Sequence, residues 1–380
     1  DVRSDGRVTY EDIFRHYGRT KNYFTGCVNK IPNISLTSYG GTALASFCDE
    51  AHDASDCADG AVSDWYKGYA TASYFPIGSP WSSLYEAIRH CNTFLLYIND
   101  PEVATYSFRE GEKNGWIAQV RVARAFYYLQ LIKRYGGVPL VTVPYGTGHD
   151  YSVDRRATFE ECADFIISEC RRALDTEELS GAVTFGFRWD INDTERGEIT
   201  RAFAYAVMSQ TALYAASPLW NDGTGAYTWE KATEITKEAL DQCLKHGFKL
   251  YTTKPSANVA QNAYAYYHFT RSDPSRSLDK ETIFESSAQT NVWKYAGTPI
   301  TPGMERAGAG PSQELIDAYE TIDGEPVLDL DQPYKDADHL EPNYNKNNLM
   351  YKENNPYANR DPRFYASVYY NGAKRYLDNR

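Results

Sequence analysis

The chain has 380 residues, 42% of them hydrophobic, so it can bury a large core as one big domain or two ordinary ones. Its formal net charge of −12, with no local run of lysine and arginine, argues against nucleic acid as a partner. No apolar run approaches the roughly 18 residues that span a bilayer, and the polar first residues do not resemble a signal peptide.

Apolar spacing predicts five helices, at about 83–99, 117–135, 159–174, 200–216 and 229–246. Ser83 with Glu86, and Thr158 with Glu161, fit the capping box that starts a helix. The helices pair at a spacing of roughly forty residues or a multiple of it, which indicates a tetratricopeptide-like stack of helical hairpins.

The predicted helix that ends at Tyr135 is apolar on nearly every side. Two adjacent stripes run along it, so its apolar arc exceeds what one packing partner needs. Gly136, Gly137 and Pro139 then end it, because glycine supplies a left-handed cap and proline prevents continuation. We therefore expect an inner helix with neighbours on two sides. The stripes are Ala118, Val122, Ala125, Leu129 and Ile132, and Ile117, Val120, Tyr127 and Leu131.

Long polar stretches rich in Gly, Pro, Asn and Tyr separate and follow these helices, and loops of this length usually carry function. They are 30–82, 142–157, 176–200, 251–312 and 321–380. Only short strands are indicated within them, at 283–285 and 364–370. The predicted fold is therefore mainly α, a tetratricopeptide-like helical-hairpin scaffold with a long irregular loop-rich portion and few short strands.

The sequence contains no recognisable catalytic or metal-binding motif. Its seven cysteines have no zinc spacing and are expected to be mostly buried thiols, although spacing alone leaves a disulfide open. Its seven histidines are scattered without ligand spacing. The acidic run of Asp49, Glu50, Asp53, Asp56 and Asp59 does not have the alternate-residue pattern of an EF-hand, and we interpret it as a solvated acidic face. We expect no metal and no cofactor.

The 32 tyrosines are the strongest compositional signal, since an aromatic ring with a polar tip suits the apolar faces and hydroxyl rims of sugars. Two stretches without helical periodicity are candidate platforms. Residues 65–75 offer Trp65, Tyr69 and Tyr74, followed by Trp81. Residues 289–297 offer Trp293 and Tyr295, which fall on one side of an extended chain beside Asn291. For Trp81, packing at the start of a helix is the competing interpretation.

Five segments carry a further pattern, in this order along the chain: 81–92, 124–140, 200–219, 311–324 and 361–364. They include the sequence YGGVPL, the alanine-rich helix and the DPRF motif near the end of the chain. Together and in this order, they resemble the SusD/RagB-like family of outer-membrane nutrient-binding lipoproteins of Bacteroidetes.

The resemblance implies a single SusD-like domain over 1–380. Its helical scaffold would lie mainly in 81–135, 158–175 and 200–246, and its ligand-binding loops mainly in 30–80 and 251–312. Relatives commonly run on into further helices, so we expect that a C-terminal helical part is missing. We expect the lipidation cysteine of the family to lie outside these 380 residues.

The resemblance also implies the function. Family members are tethered to the outer membrane by a lipidated N-terminal cysteine and capture oligosaccharides at the cell surface without chemistry. They deliver the ligand to a partner SusC-like TonB-dependent transporter. Two other classes stay open at this point: a tetratricopeptide-like protein-interaction scaffold, and a helical glycoside hydrolase with two carboxylates across an aromatic-lined cleft.

Overall fold

In the computed structural model, the described residues are 8–31, 44–53, 61–74, 79–179, 185–253, 263–269, 278–285 and 309–373. They form eleven α-helices and one antiparallel pair of three-residue strands, β1 (Ala51–Asp53) and β2 (Ala309–Pro311). The helices are α1 (Tyr10–Phe14), α2 (Tyr17–Val28), α3 (Ala61–Tyr66), α4 (Trp81–Tyr97), α5 (Glu112–Tyr135), α6 (Phe159–Leu174), α7 (Arg201–Ala216), α8 (Trp229–Lys245), α9 (Ala263–Phe269), α10 (Gln313–Ala318) and α11 (Pro362–Ser367).

The chain divides into two compact units. The helical unit comprises residues 1–32, 79–250 and 275–287, and the loop-rich unit comprises 33–78, 251–274 and 288–380. The mainly helical fold predicted from the sequence is confirmed. The expectation of one domain with a missing C-terminal part stays a prediction.

Helix α5 is the centre of the helical unit. It packs against α2, α4, α6 and α7. Every residue of its first predicted stripe is buried, and in the second stripe only Ile117 is partly exposed. The expectation of an inner helix with neighbours on two sides is confirmed, and its physical reason is that an apolar arc this wide has to be covered by several partners.

A tight turn joins α5 to the segment that leads into α6. Gly136 adopts a φ of 70°, and its N–H donates to the carbonyl of Ile132. A Cβ on Gly137 would stand 2.0 Å from the carbonyl oxygen of Ala157, so only glycine allows the two backbones to approach this closely. Thr158 then starts α6 with the predicted capping box: its hydroxyl accepts from the Glu161 N–H at 3.1 Å, and the Glu161 carboxylate accepts from the Thr158 N–H at 2.7 Å.

Helices α6, α7 and α8 continue the stack, with α7 packed against both of its neighbours. Buried alanines on α7 allow this close approach. Arg201, at the start of α7, places its guanidinium at the C-terminal end of α6. It donates to the carbonyl of Leu174 at 2.9 Å and to that of Phe187 at 2.8 Å, and it also donates to the carbonyl of Thr176. A side chain of α7 therefore satisfies carbonyls that the end of α6 leaves open.

A buried ionic network joins α4, α5 and α6. The Glu169 carboxylate of α6, 1% exposed, accepts from Arg121 of α5 at 2.9 Å and pairs with Arg124 of the same helix. Arg124 also donates to the Asn92 side-chain oxygen of α4 at 2.6 Å and to the backbone carbonyl of Thr142. The two arginines of the inner helix thus bind an acidic partner, an amide oxygen and a backbone oxygen within the fold.

In the loop-rich unit, Arg360 is fully buried and organises the segment around α10 and α11. Its guanidinium donates to the carbonyls of Tyr319 at 2.7 Å and Pro356 at 2.9 Å, and to that of Ile316. It lies 5.0 Å from the ring centre of Phe364, which is itself fully buried. A cation in this position is stabilised by the carbonyl dipoles and by the aromatic face.

Three local predictions are wrong. Residues 364–370 do not form a strand, because Asp361 caps a helix at the Arg363 N–H and Pro362 occupies its first position. Residues 283–285 lie in no strand; Phe284 stacks on Phe203, with ring centres 4.3 Å apart. Ser83 is not a helix cap, since α4 already begins at Trp81 and the Ser83 hydroxyl donates to the Pro80 carbonyl.

No helix within the described ranges is long and apolar enough to cross a membrane. Six cysteines in this part of the chain carry free thiols, and all except Cys48 are buried, as expected. The same residues contain no group of three or more histidine, cysteine or acidic side chains arranged to hold a metal. Asp56 and Asp59 of the acidic run lie outside the described residues.

Glu169→Gln should strongly destabilise the helical unit. Removing the buried negative charge leaves the Arg124 guanidinium without its counter-ion, which costs about 3 to 5 kcal/mol. Asp241→Asn is the matched control, because Asp241 pairs with Lys237 on the exposed surface of α8 and such pairs contribute about 0.5 kcal/mol or less. Chemical denaturation followed by circular dichroism measures both. Equal unfolding midpoints for the two variants would contradict the central role of the network.

Gly137→Ala should cost about 1 to 3 kcal/mol or more, because its Cβ would overlap the Ala157 carbonyl and force the backbones apart. Gly146→Ala is the control, since a Cβ there meets nothing within 4 Å. Thermal unfolding of the two variants checks the contrast. A Gly137→Ala protein as stable as wild type would show that this close approach is not required.

Candidate functional site

Within the part of the chain that the structure describes, most predicted site residues lie on residues 61–74 of the loop-rich unit, which we call the aromatic turn. It begins with α3, and Gly68 ends that helix with a φ of 71°. The Tyr69 N–H donates to the Asp64 carbonyl at 2.9 Å, and the Gly68 N–H donates to the Trp65 carbonyl at 3.0 Å. These two bonds form a Schellman motif, which fixes the direction in which the chain leaves the helix.

A second turn and one side-chain bond close the aromatic turn. Thr71 and Tyr74 exchange backbone hydrogen bonds of 2.7 and 3.3 Å. The Tyr74 hydroxyl donates to the Asp64 carboxylate at 2.5 Å. This hydrogen bond raises the pKa of Tyr74, so the phenol stays protonated and remains a donor at neutral pH. Asp64 therefore holds the segment through both its carbonyl and its carboxylate.

The aromatic side chains of this turn are widely exposed. Tyr69 is 56% exposed, Tyr74 is 49% exposed, and Trp65 is 37% exposed. Trp65 lies edge-on to Phe47, with ring centres 5.8 Å apart. Tyr66 stacks on the imidazole of His52 at 4.6 Å, with the two planes within 11° of each other.

The paired strands β1 and β2 position His52, the residue on which Tyr66 stacks. His52 lies on β1, where it pairs in register with Gly310 of β2. The Ser312 N–H donates to the Glu50 carbonyl at 3.0 Å, which ties the residues after β2 to those before β1. Hydrogen-bonded backbone thus fixes the residues on which the aromatic side chains pack.

The structure joins two predicted site residues, Tyr69 and Tyr74, through their hydrogen bonds to Asp64, and Trp65 follows Asp64 directly in the same turn. Trp81 belongs to the helical unit, where it packs against Tyr85 and Tyr135 with ring centres 4.9 and 5.1 Å away. Its contacts are those of a packing residue at the start of α4. The other predicted platform, with Asn291, Trp293 and Tyr295, lies outside the described residues.

Sequence reasoning missed Asp64, Tyr66 and His52. Asp64 contributes most to the shape of the turn, since it accepts hydrogen bonds from both the Tyr69 N–H and the Tyr74 hydroxyl. The available signal was Gly68, because a glycine after a short apolar helix predicts a Schellman cap whose acceptor lies four residues earlier. The stacking of Tyr66 on His52 had no local signal.

This arrangement suits recognition by stacking and hydrogen bonding. Exposed rings offer flat apolar faces, and the Asp64 carboxylate and Tyr74 hydroxyl lie next to them. Sugar rings combine an apolar face with a rim of hydroxyls and require this combination.

Family comparison decides the classification. A SusD-like family model described as "Starch-binding associating with outer membrane" matches residues 32–178, and a SusD/RagB model described as "SusD family" matches residues 274–379. The chain belongs to the SusD/RagB-like family. A comparison with curated proteins found no match.

Solved SusD-like structures share the fold. A SusD-like protein from Bacteroides fragilis is 22% identical, with a TM-score of 0.62 over 93% of this chain and 60% of its own. A SusD-like carbohydrate-binding protein from the same species is 19% identical, with a TM-score of 0.61 over 95% of this chain and 61% of its own. The surface glycan-binding protein A of Bacteroides fluxus is 16% identical, with a TM-score of 0.53 over 80% of this chain and 62% of its own. This SusD-like chain therefore matches about three fifths of the length of those proteins.

Gly68→Ala should loosen the aromatic turn without any clash. A Cβ at this position meets nothing within 4 Å, so the cost is that of a left-handed backbone, about 1 to 2 kcal/mol. Hydrogen exchange of the Gly68 and Tyr69 amides should accelerate roughly 5- to 30-fold. Gly18→Ala, within α2 and also without a contact, should leave both amides unchanged. Unchanged protection in Gly68→Ala would refute the Schellman cap as the element that holds the turn.

Proposed function

We propose that this protein captures oligosaccharides at the outer cell surface and carries out no chemistry on them. The observation that carries the proposal is the aromatic turn: a SusD-family chain presents several exposed rings on a hydrogen-bonded segment, with a carboxylate and a phenol beside them. Preorganisation of this kind reduces the entropy lost when a flexible glycan binds. Two of the similar structures are those of a carbohydrate-binding and a glycan-binding protein, which is consistent with this ligand class.

The proposed ligand site combines Trp65, Tyr69 and Tyr74 with the second predicted platform of Trp293, Tyr295 and Asn291. In this proposal the rings stack on sugar faces, and Asp64 and Asn291 bind hydroxyls. Trp81 is not included, because its ring is engaged in packing.

We further propose that the protein is held at the outer membrane by a lipid anchor and delivers its ligand to a SusC-like TonB-dependent transporter. The support is family membership. Co-purification of the transporter with the tagged, membrane-anchored protein tests this step, and isolation of the protein alone from gently solubilised outer membranes would contradict it.

Affinity electrophoresis and calorimetry against a panel of soluble plant and host glycans test capture, and analysis of the products tests for cleavage. Binding with intact glycans is the expected result. Release of new reducing ends would favour the hydrolase instead. Binding of a protein partner, together with no binding of any glycan in the panel, would favour the interaction scaffold.

Tyr69→Ala and Trp293→Ala should each weaken glycan binding by about 1 to 3 kcal/mol, by analogy with the loss of a stacked or hot-spot aromatic. Trp229→Ala is the control, because this exposed tryptophan begins α8 in the helical unit. Calorimetric titration with the best glycan of the panel measures all three. Wild-type affinity in a correctly folded variant would remove that residue from the site.

A further inference from the structure

The loop between α5 and α6, residues 141–157, is rigidly attached to the helical unit. Its first residue, Val141, is bonded through both backbone groups: the N–H donates to the Tyr128 hydroxyl at 2.7 Å, and the carbonyl accepts from Asn92 at 2.8 Å. Further along, Arg89 donates to the Tyr145 carbonyl at 2.8 Å. Side chains of α4 and α5 therefore determine where this long loop stands.

The outer part of the loop is also ordered by its own side chains. The rings of Tyr145 and His149 stack with centres 3.5 Å apart. Both bind Asp154: the Tyr145 hydroxyl donates to one carboxylate oxygen at 2.9 Å, and His149 Nε2 lies 2.9 Å from the other. Asp150 accepts from the Ser152 N–H at 2.9 Å and so starts the short 3₁₀ turn of Tyr151–Val153.

This ordered loop presents an aromatic ring to solvent. Tyr151 is 68% exposed, and it lies edge-on to His149 with ring centres 4.9 Å apart. A large exposed ring on a segment held this firmly contributes nothing to the core, and a preformed ring of this kind can bind a ligand at little cost in conformational entropy.

A cavity of about 340 Å³ lies beside the loop. Pro139, Leu140 and Ala157 contribute apolar lining, and Asp154, Arg155 and Glu161 contribute polar lining. Its volume is at the lower end of the range of small-molecule sites. The Arg155 guanidinium donates two hydrogen bonds, of 2.7 and 3.0 Å, to the Glu161 carboxylate. These bonds use two of the five N–H donors of the guanidinium.

The chemistry of this lining favours a neutral, hydroxyl-rich ligand. Two carboxylates against one guanidinium disfavour a phosphate or another anion. Adjacent donors and acceptors in a planar fork match vicinal hydroxyls, which both donate and accept. Tyr151 lies next to this lining: its ring is edge-on to that of Tyr145, a lining residue, with ring centres 6.0 Å apart. Its exposed ring supplies the flat apolar face that a pyranose requires.

We propose that Tyr151 and the cavity beside it form a second glycan-binding site, on the helical unit, that takes one or two neutral sugar residues. The ligand class rests on the proposed function, whereas the location rests on the geometry of this loop alone. Such a site gives the protein a further contact for glycan on the helical unit.

Hydrogen exchange with mass spectrometry on the full chain tests the proposal, with maltoheptaose, cellohexaose, xylohexaose and mannohexaose as probes. A bound probe should protect the amides of residues 145–157. In Tyr151→Ala, the probe concentration that gives half-maximal protection should rise at least tenfold. Tyr369→Ala, which removes an exposed tyrosine of the loop-rich unit, should not change it. Circular dichroism checks that the variants are folded.

The outcomes separate the two proposals. Protection of 61–74 without protection of 145–157 overturns the second site and leaves the proposed function standing. Protection of 145–157 that Tyr151→Ala removes supports the second site, even where 61–74 shows no response. Protection of 145–157 that survives Tyr151→Ala overturns the role of Tyr151, and no binding of any probe overturns the second site as a site for neutral glycans.

Discussion

The helical unit depends on the single carboxylate of Glu169. Placed in a nearly water-free position on α6, it requires positive partners, and both Arg121 and Arg124 of α5 supply them. Arg124 in turn requires the Asn92 oxygen of α4. A buried charge network tolerates few alternative arrangements, because a shift of one helical turn would leave a charge unpaired at a cost of several kcal/mol. Apolar packing makes the stack stable, and we infer that this network favours one register over the others that apolar packing alone would allow.

The sequence predicted the helices well where the signal is local. The two stripes of α5 and the capping box at Thr158 depend on residues within a few positions of one another, and the structure contains both. Two of the three failures are also local, at 364–370 and at Ser83, and they involve competing signals. At 364–370, aromatic residues suggested a strand, but a cap at Asp361 followed by proline determines the backbone there. At Ser83, the capping pattern is present, but Pro80 already starts the helix.

Contacts between distant residues could not be predicted. Arg124 and Glu169 are separated by 45 positions, and nothing near either residue identifies the other. The same limit applies to the candidate site. Aromatic residues in a stretch without helical periodicity indicated Trp65, Tyr69 and Tyr74, although Trp65 lies within α3. The role of Asp64 depends on how the chain turns at Gly68, and the support of Tyr66 by His52 depends on how β1 pairs with β2. Composition reveals the kind of surface, and its geometry comes from three-dimensional contacts.

Arg201 has a consequence for how the helical unit unfolds. In simple repeat proteins each hairpin is coupled to the next through apolar contact, so that one end can fray while the rest stays folded. Here a residue of α7 donates to the final carbonyl of α6 and to two carbonyls of the segment that follows it. Melting of α7 would expose the end of α6 and release that segment at the same time. The α5–α6 pair and the α7–α8 pair, which lie on either side of this guanidinium, should therefore unfold as one cooperative block. Partial unfolding should begin elsewhere in the chain.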